Sequence, residues 1–182
     1  MTENHAPTRG LVICYTGNGK GKTTAALGMC IRAAGYNMKV AIVQFIKGSW
    51  HYGELDGIKL LAPYVELQTA GKGFVGILDD KLPREEHLHA AREALAIAEE
   101  KLVSGAYDIV ILDEIFVGLG LELITAKNIL DLMARKPERV NLVLTGRGAP
   151  PEVIAAADLV TEMTEIKHPY QQGIKARRGI DF

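Results

Sequence analysis

Between residues 16 and 24 the chain reads Thr-Gly-Asn-Gly-Lys-Gly-Lys-Thr-Thr, three alternating glycines that close on a Lys-Thr pair. Those residue types at that spacing suit the binding of phosphate. Gly17, Gly19 and Gly21 permit backbone angles that turn successive N–H groups toward a single anion. Lys22 adds a full positive charge, and the Thr23 hydroxyl is placed to hold a magnesium ion. Thr16, Asn18, Lys20 and Thr24 complete the candidate nucleotide-binding loop. The strict phosphate-loop pattern starts on glycine, where this chain has Thr16 with Gly17 beside it. The reading is a loop for the triphosphate of ATP; the alternative is a glycine-rich turn ahead of a helix.

A second constellation is Asp113-Glu114, which follows the apolar residues Ile109 to Leu112. Carboxylates at the carboxyl end of a buried strand sit beside such a loop, at the edge where ligands bind. One of them can hold Mg²⁺ directly or through water, while the other orients it or acts as a base. The plain alternative for Asp113 is a cap on a strand or turn. Arg147, between Gly146 and Gly148, is a cation able to reach phosphate or ribose. Other groups point to no site. His87 and His89 face different sides of a helix, and with Glu85 and Glu86 they read as a solvated helix start. Cys14 and Cys30 read as small core residues, and Tyr107 as packing.

These groups need a scaffold, and the hydrophobic pattern supplies one. Leu11–Tyr15, Val40–Phe45, Val65–Thr69, Asp108–Glu114, Val140–Thr145 and Leu159–Met163 read as short strands, several of them apolar enough to be buried on both faces. Helices are expected at Lys22–Ala34, Arg84–Val103, Ala126–Arg135 and Pro151–Ala157, the second with Leu88, Ala91, Leu95 and Leu102 inward. The alternation predicts an α/β fold of the P-loop NTPase-like (RecA-like) kind, with a mainly parallel sheet and helices on both faces. Residues 1–9 read as a flexible arm and 10–182 as a single domain, with a C-terminal tail from about residue 168. The net charge of −1 gives no reason to expect a nucleic-acid partner. Two separated cysteines suggest neither a disulfide framework nor a thiolate metal site. No apolar run reaches the length of a membrane span, so a cytoplasmic location is expected.

Taken together, residues 16–24, Gln-Phe-Ile-Lys-Gly (44–48), Leu-Asp-Glu (112–114), Thr-Gly-Arg-Gly (145–148) and the tail Gly-Ile-Lys-Ala-Arg-Arg-Gly-Ile-Asp-Phe (173–182) resemble the CobA/CobO/BtuR-type ATP:corrinoid adenosyltransferases. The resemblance runs from about Gly10 to the C-terminus. It implies transfer of the 5′-deoxyadenosyl group of ATP to Co(I) of a corrinoid, cobalamin or cob(I)yrinic acid a,c-diamide, with release of triphosphate. It also implies Mg²⁺, a homodimer, an electron-donating flavoprotein reductase, and an ATP of reversed polarity in the loop. In that scheme Lys22 and Glu114 are the catalytic candidates, and Thr23, Asp113 and Glu114 the metal candidates. Phe74 falls at the first of two aromatic positions that cover the lower face of cobalt in the family; the second falls at Gly76. Trp50, with His51 and Tyr52, is a candidate contact for adenosine or corrin, or an exposed loop tip. Lys175, Arg177 and Arg178 either close over the site or are solvated, and the N-terminal arm would cover a neighbouring subunit's site. Read without the resemblance, the residues also allow a P-loop ATPase with Glu114 as base, a small-molecule phosphotransferase using Arg147, or an ATP-gated binding module.

Overall fold

The computed structural model describes residues 9–46, 51–71 and 82–182. Six strands form one sheet: β1 (Val12–Thr16), β2 (Val40–Gln44), β3 (Val65–Thr69), β4 (Ile109–Asp113), β5 (Asn141–Thr145) and β6 (Leu159–Glu162). Their order is β3-β2-β4-β5-β1-β6, and every pair is parallel. Among the described residues six helices accompany them: α1 (Lys22–Ala34), α2 (Gly53–Gly57), α3 (Arg84–Val103), α4 (Ile115–Gly120), α5 (Ala126–Arg135) and α6 (Pro151–Ala156), with 3-10 turns at Ile58–Leu61 and Pro169–Gln172.

Side chains that alternate along each strand divide the core in two, as a sheet covered on both faces requires. Val110 and Leu112 of β4 join Val43, Leu142 and Leu144 under α3 and α5, through Ala91, Ala94, Ala98, Ile129 and Leu132. Ile109 and Ile111 turn the other way, toward Ala26, Cys30 and Ala33 of α1. Alanines on α1 and α3 let these helices lie close to the strands. The inward stripe of α3 is accordingly His87, Ala90, Ala91, Ala94, Ala98 and Leu102, while the expected Leu88 and Leu95 are only half-buried. His87, read from sequence as part of a solvated helix start, is buried at 3% exposure; His89 does face solvent, 3.4 Å from Glu93. Tyr107 packs on the core and also donates its hydroxyl to Glu66 at 2.6 Å.

Both cysteines are fully buried free thiols. Burial pushes Cys14 up to about 11 and Cys30 up to about 12. Since the thiolate is the reactive form, a disulfide reagent at pH 8 should label neither cysteine in the native protein and both after denaturation. Counting released chromophore with and without denaturant checks this.

The distribution of buried polar groups locates the functional edge. Among the described residues the buried polar side chains are Thr16, Lys22, Gln44, His87, Asp113 and Thr145. All but His87 lie at the carboxyl ends of strands or at the start of α1. Polar groups are costly inside a protein, so five of them at one sheet edge mark a place where something other than packing is required.

Candidate functional site: a phosphate loop facing paired carboxylates

The loop from Gly17 to Gly21 joins β1 to α1 and is shaped by its glycines in two ways. Gly17 and Gly21 adopt φ of 96° and 113°, the left-handed region that side chains avoid. Gly19 does not, and its need is space: a Cβ there would lie 2.7 Å from the Met163 carbonyl oxygen. The Gly19 N–H donates to that same oxygen at 2.6 Å, so this amide is engaged by the chain leaving β6 instead of facing an anion with its neighbours. Helix α1 begins without a side-chain cap and without an acidic residue in its first turn. Its leading N–H groups and positive dipole end remain suited to a negative ligand.

Lys22 sits in the hollow of this loop. It is buried, and its Nζ donates to the carbonyl oxygens of Gly17 at 2.8 Å and Gly19 at 2.6 Å. Burial pulls its ammonium below the ordinary lysine range; Arg147 and Lys20 push the same way, while Glu114 and Asp113 oppose. Lys22, Lys20 and Arg147 are thus close enough to act on one another, with the carboxylates of Glu114 and Asp113 beside them.

Asp113 and Glu114 divide their work. Asp113 ends β4 and is buried at 1% exposure. Its Oδ1 accepts from the hydroxyls of Thr23 at 2.9 Å and Thr145 at 2.7 Å, and its Oδ2 accepts from Gln44 Nε2 at 3.1 Å. Thr145 is held in turn, because its hydroxyl oxygen accepts the Glu114 N–H at 2.9 Å. Glu114 takes a left-handed backbone, with φ of 61°, and this turns the chain into α4. Such a conformation costs a non-glycine residue about 1 kcal/mol or more, and here Glu114 lines the open cleft while Asp113 lies below it.

That cleft, of about 430 Å³, lies within the range of small-molecule sites. Gly19 to Thr24 form one wall, Glu114 and Arg147 another, and Gly53, Glu54 and the tail residues Gly179 to Phe182 a third. Arg147 is exposed between Gly146 and Gly148, both at positive φ, which aim the loop after β5 back toward α1. The tail is folded on itself: Asp181 Oδ2 accepts the Arg177 N–H at 2.7 Å, and the Gly179 N–H donates to the Phe182 carbonyl at 2.7 Å. The other oxygen of Asp181 pairs with Lys20.

Of the sequence-predicted loop residues, Gly19, Lys20, Gly21, Lys22, Thr23 and Thr24 line the cleft together with Glu114 and Arg147. Thr16, Gly17 and Asn18 form the approach to it; the Thr16 hydroxyl accepts the Ala149 N–H at 3.1 Å and braces the Arg147 loop. In the tail, Gly179 to Phe182 line the cleft, while Lys175, Arg177 and Arg178 are exposed, in keeping with the solvated alternative. His51 is exposed and pairs with Asp56 at 2.8 Å. Trp50, Phe74, Gly76 and the arm up to residue 8 lie outside the described residues. Gln44, Thr145 and the tail's last four residues stand in the sequence blocks that carry the resemblance but receive no individual role there, and Glu54 is not singled out. For Gln44 and Thr145 the signal was available: each ends an apolar strand, as Asp113 does.

The oxygens gathered here suit a hard divalent cation. The Thr23 hydroxyl donates its hydrogen to Asp113 and keeps lone pairs for a metal, and Glu114 offers a carboxylate in the cleft. Among the described residues no group of three or more His, Cys, Asp or Glu forms a metal cage by itself. A cation fits with phosphate oxygens completing its shell, the usual arrangement for Mg²⁺ on a nucleotide.

Comparison with known proteins agrees with this geometry. Residues 8–182 match the family described as ATP:corrinoid adenosyltransferase BtuR/CobO/CobP. A corrinoid adenosyltransferase of Escherichia coli is 38% identical over 175 residues, covering 96% of this chain and 86% of the relative. One from Pseudomonas aeruginosa is 37% identical over 174 residues, covering 96% and 84%. The corrinoid adenosyltransferase CobA of Salmonella typhimurium is 35% identical over 175 residues, covering 96% and 86%. A glycine loop around a buried lysine, carboxylates at the end of β4 facing the same cleft, and a match along almost the whole sequence lead to one assignment: this chain belongs to the ATP:corrinoid adenosyltransferase family.

Proposed function

We propose that the cleft holds ATP with its triphosphate on the Gly17–Thr24 loop and its ribose turned outward, so that C5′ meets Co(I) of a corrinoid. The observation that carries this reading is the convergence of Lys20, Lys22 and Arg147 on one cleft beside Glu114. In the reaction the cobalt electron pair forms the Co–C5′ bond as the C5′–O5′ bond breaks. The bonding pair leaves with the intact triphosphate, and cobalt becomes formally Co(III). Co(I) is itself a strong nucleophile, so no serine, cysteine or general base is required of the protein. The chain's own contribution is position and charge: Lys22 and Lys20 stabilise the leaving triphosphate, and Arg147 neutralises it from the β5 side. Thr23, Asp113 and Glu114 would hold a Mg²⁺ ion, which when bound would further neutralise that charge.

The same reading includes a homodimer, a flavoprotein electron donor and a cytoplasmic setting. Exposed apolar residues along and after β6, namely Leu159, Val160, Ile166 and Tyr170, support a covering partner copy. Two free buried thiols suit a reducing compartment. Among the described residues no helix is long and apolar enough to cross a membrane.

The test is product analysis. Anaerobic incubation with ATP, Mg²⁺ and chemically reduced cobalamin should convert the Co(I) spectrum to that of an alkylcobalamin, with triphosphate released in equal amount. An unchanged Co(I) spectrum with ADP formation would sink adenosyl transfer and leave a phosphoryl-transfer or hydrolytic enzyme.

A further inference from the structure

Gln44 is a residue that packing does not explain. It closes β2 in the run Val-Ala-Ile-Val-Gln, every residue of which is buried, and is itself 1% exposed. In register it stands beside Asp113 on β4 and Thr69 on β3. An apolar side chain of the same length would fill that volume without desolvating an amide. Instead the amide spends one end on Asp113 and strands the other: among the described residues Gln44 Oε1 is buried without a hydrogen-bond partner. Buried unsatisfied acceptors are rare and costly. The orientation is not open to exchange, because the Asp113 carboxylate only accepts, so the Nε2 end must face it and the Oε1 end must face away.

What the stranded amide achieves is visible at Asp113. Two hydroxyls, from Thr23 on α1 and Thr145 on β5, converge on Oδ1. They leave the carboxylate free to swing about that oxygen. The bond from Gln44 to Oδ2 removes this freedom, so β2, α1 and β5 together fix the carboxylate plane. With Asp113 fixed, the Thr23 hydroxyl has one direction for its hydrogen, and its lone pairs are turned to the remaining side.

The geometry points to Gln44 as a positioning residue for the nucleotide-bound cation, acting through Asp113 on Thr23. This rests on the proposal that Thr23 and its carboxylate neighbours hold Mg²⁺. Gln44 touches neither nucleotide nor reacting atoms; its work is to keep the metal-facing oxygens aimed. Loss of such an outer partner typically weakens metal affinity about 10–100-fold.

The experiment is calorimetric titration of ATP into the full chain, once in EDTA and once at saturating Mg²⁺, for wild type, Gln44→Met and Thr23→Ala. Gln44→Met keeps length and removes the donor. Expected is a loss of at least about tenfold in the Mg²⁺-dependent tightening, with ATP affinity in EDTA and the KM for reduced cobalamin unchanged. Equal losses with and without Mg²⁺ would show a merely structural role and overturn the inference. So would a Gln44→Met protein whose Mg²⁺ response matches wild type while Thr23→Ala loses it. If wild type and Thr23→Ala respond to Mg²⁺ identically, the metal reading itself falls and this inference with it. Should Gln44→Met fail to fold, Gln44→Asn keeps the amide, shortens its reach by one methylene, and faces the same outcomes.

Discussion

Replacing Lys22 by alanine should reduce adenosyl transfer by at least about 10²–10³-fold, the scale seen when one preorganised donor to a developing negative charge is deleted. The physical case rests on where this ammonium sits. It is buried at 6% exposure and held by two loop carbonyls, so it needs little reorganisation to meet a phosphate. Water cannot substitute for it at that depth, and Lys20 and Arg147 reach the cleft from its rim. The loss should fall on ATP binding and on the chemical step alike, because charge on the triphosphate is present in the ground state and grows as C5′–O5′ breaks. Single-turnover formation of alkylcobalamin at saturating and limiting ATP separates the two, with circular dichroism as the check on folding. A variant that bound ATP and reacted like wild type would remove the Gly17–Thr24 loop from the reaction.

Truncating Phe116 to alanine should produce the largest loss of stability. Phe116 heads the largest fully buried side chains of the described chain, on the short helix that follows Glu114. Deletions of this size cost about 3–5 kcal/mol when the cavity cannot collapse. Collapse is hindered here, because Gly146 already lies so close that a Cβ on it would come within 2.8 Å of the Phe116 Cβ. For a chain of this length the corresponding fall in Tm is about 6–20 °C. The contact also sets the spacing of the site, since Glu114 and Arg147 lie on the two segments it joins. ATP affinity should therefore drop in the same variant at temperatures where it remains folded. Thermal unfolding followed by circular dichroism, paired with ATP titration, reads both effects.

The six strands and helices α1, α3, α5 and α6 were legible because each is a local pattern: apolar runs for strands buried on two faces, and a periodic stripe for α5. The glycine loop and Asp113-Glu114 could be singled out as candidates because their residue types stand next to one another in the chain. What escaped depends on register across the sheet. Gln44 reads as one polar residue in an apolar run until β2 is laid beside β4, which brings it to an aspartate 69 positions away. The same holds for Thr145. Helix α4, Ile-Phe-Val-Gly-Leu-Gly, has β-branched residues and two glycines and little helical propensity of its own; the left-handed turn at Glu114 and the burial of Ile115 and Phe116 make it a helix. The role of Gly19 was misread as conformational because the chain it must admit, Met163 and Thr164, comes from the far end of the sequence. His87 was misread because its burial follows from how α3 is rotated on the sheet, which histidine spacing does not reveal.

The order of strands has a consequence for how the protein is made. β1 leads into the Gly17–Gly21 loop and precedes the other five strands, yet among the described residues its neighbours in the sheet are β5 and β6. The three strands synthesised next can pair among themselves as β3-β2-β4 while β1 waits. A chain halted on the ribosome before residue 141 thus contains every residue of the Gly17–Thr24 loop and Asp113-Glu114, but has no strand beside β1 to hold them together. Long-range parallel pairing of this kind is slow to form. Nucleotide should accordingly protect the completed chain from protease and leave such a halted fragment as sensitive as before: the first part of the site to be translated is the last to be assembled.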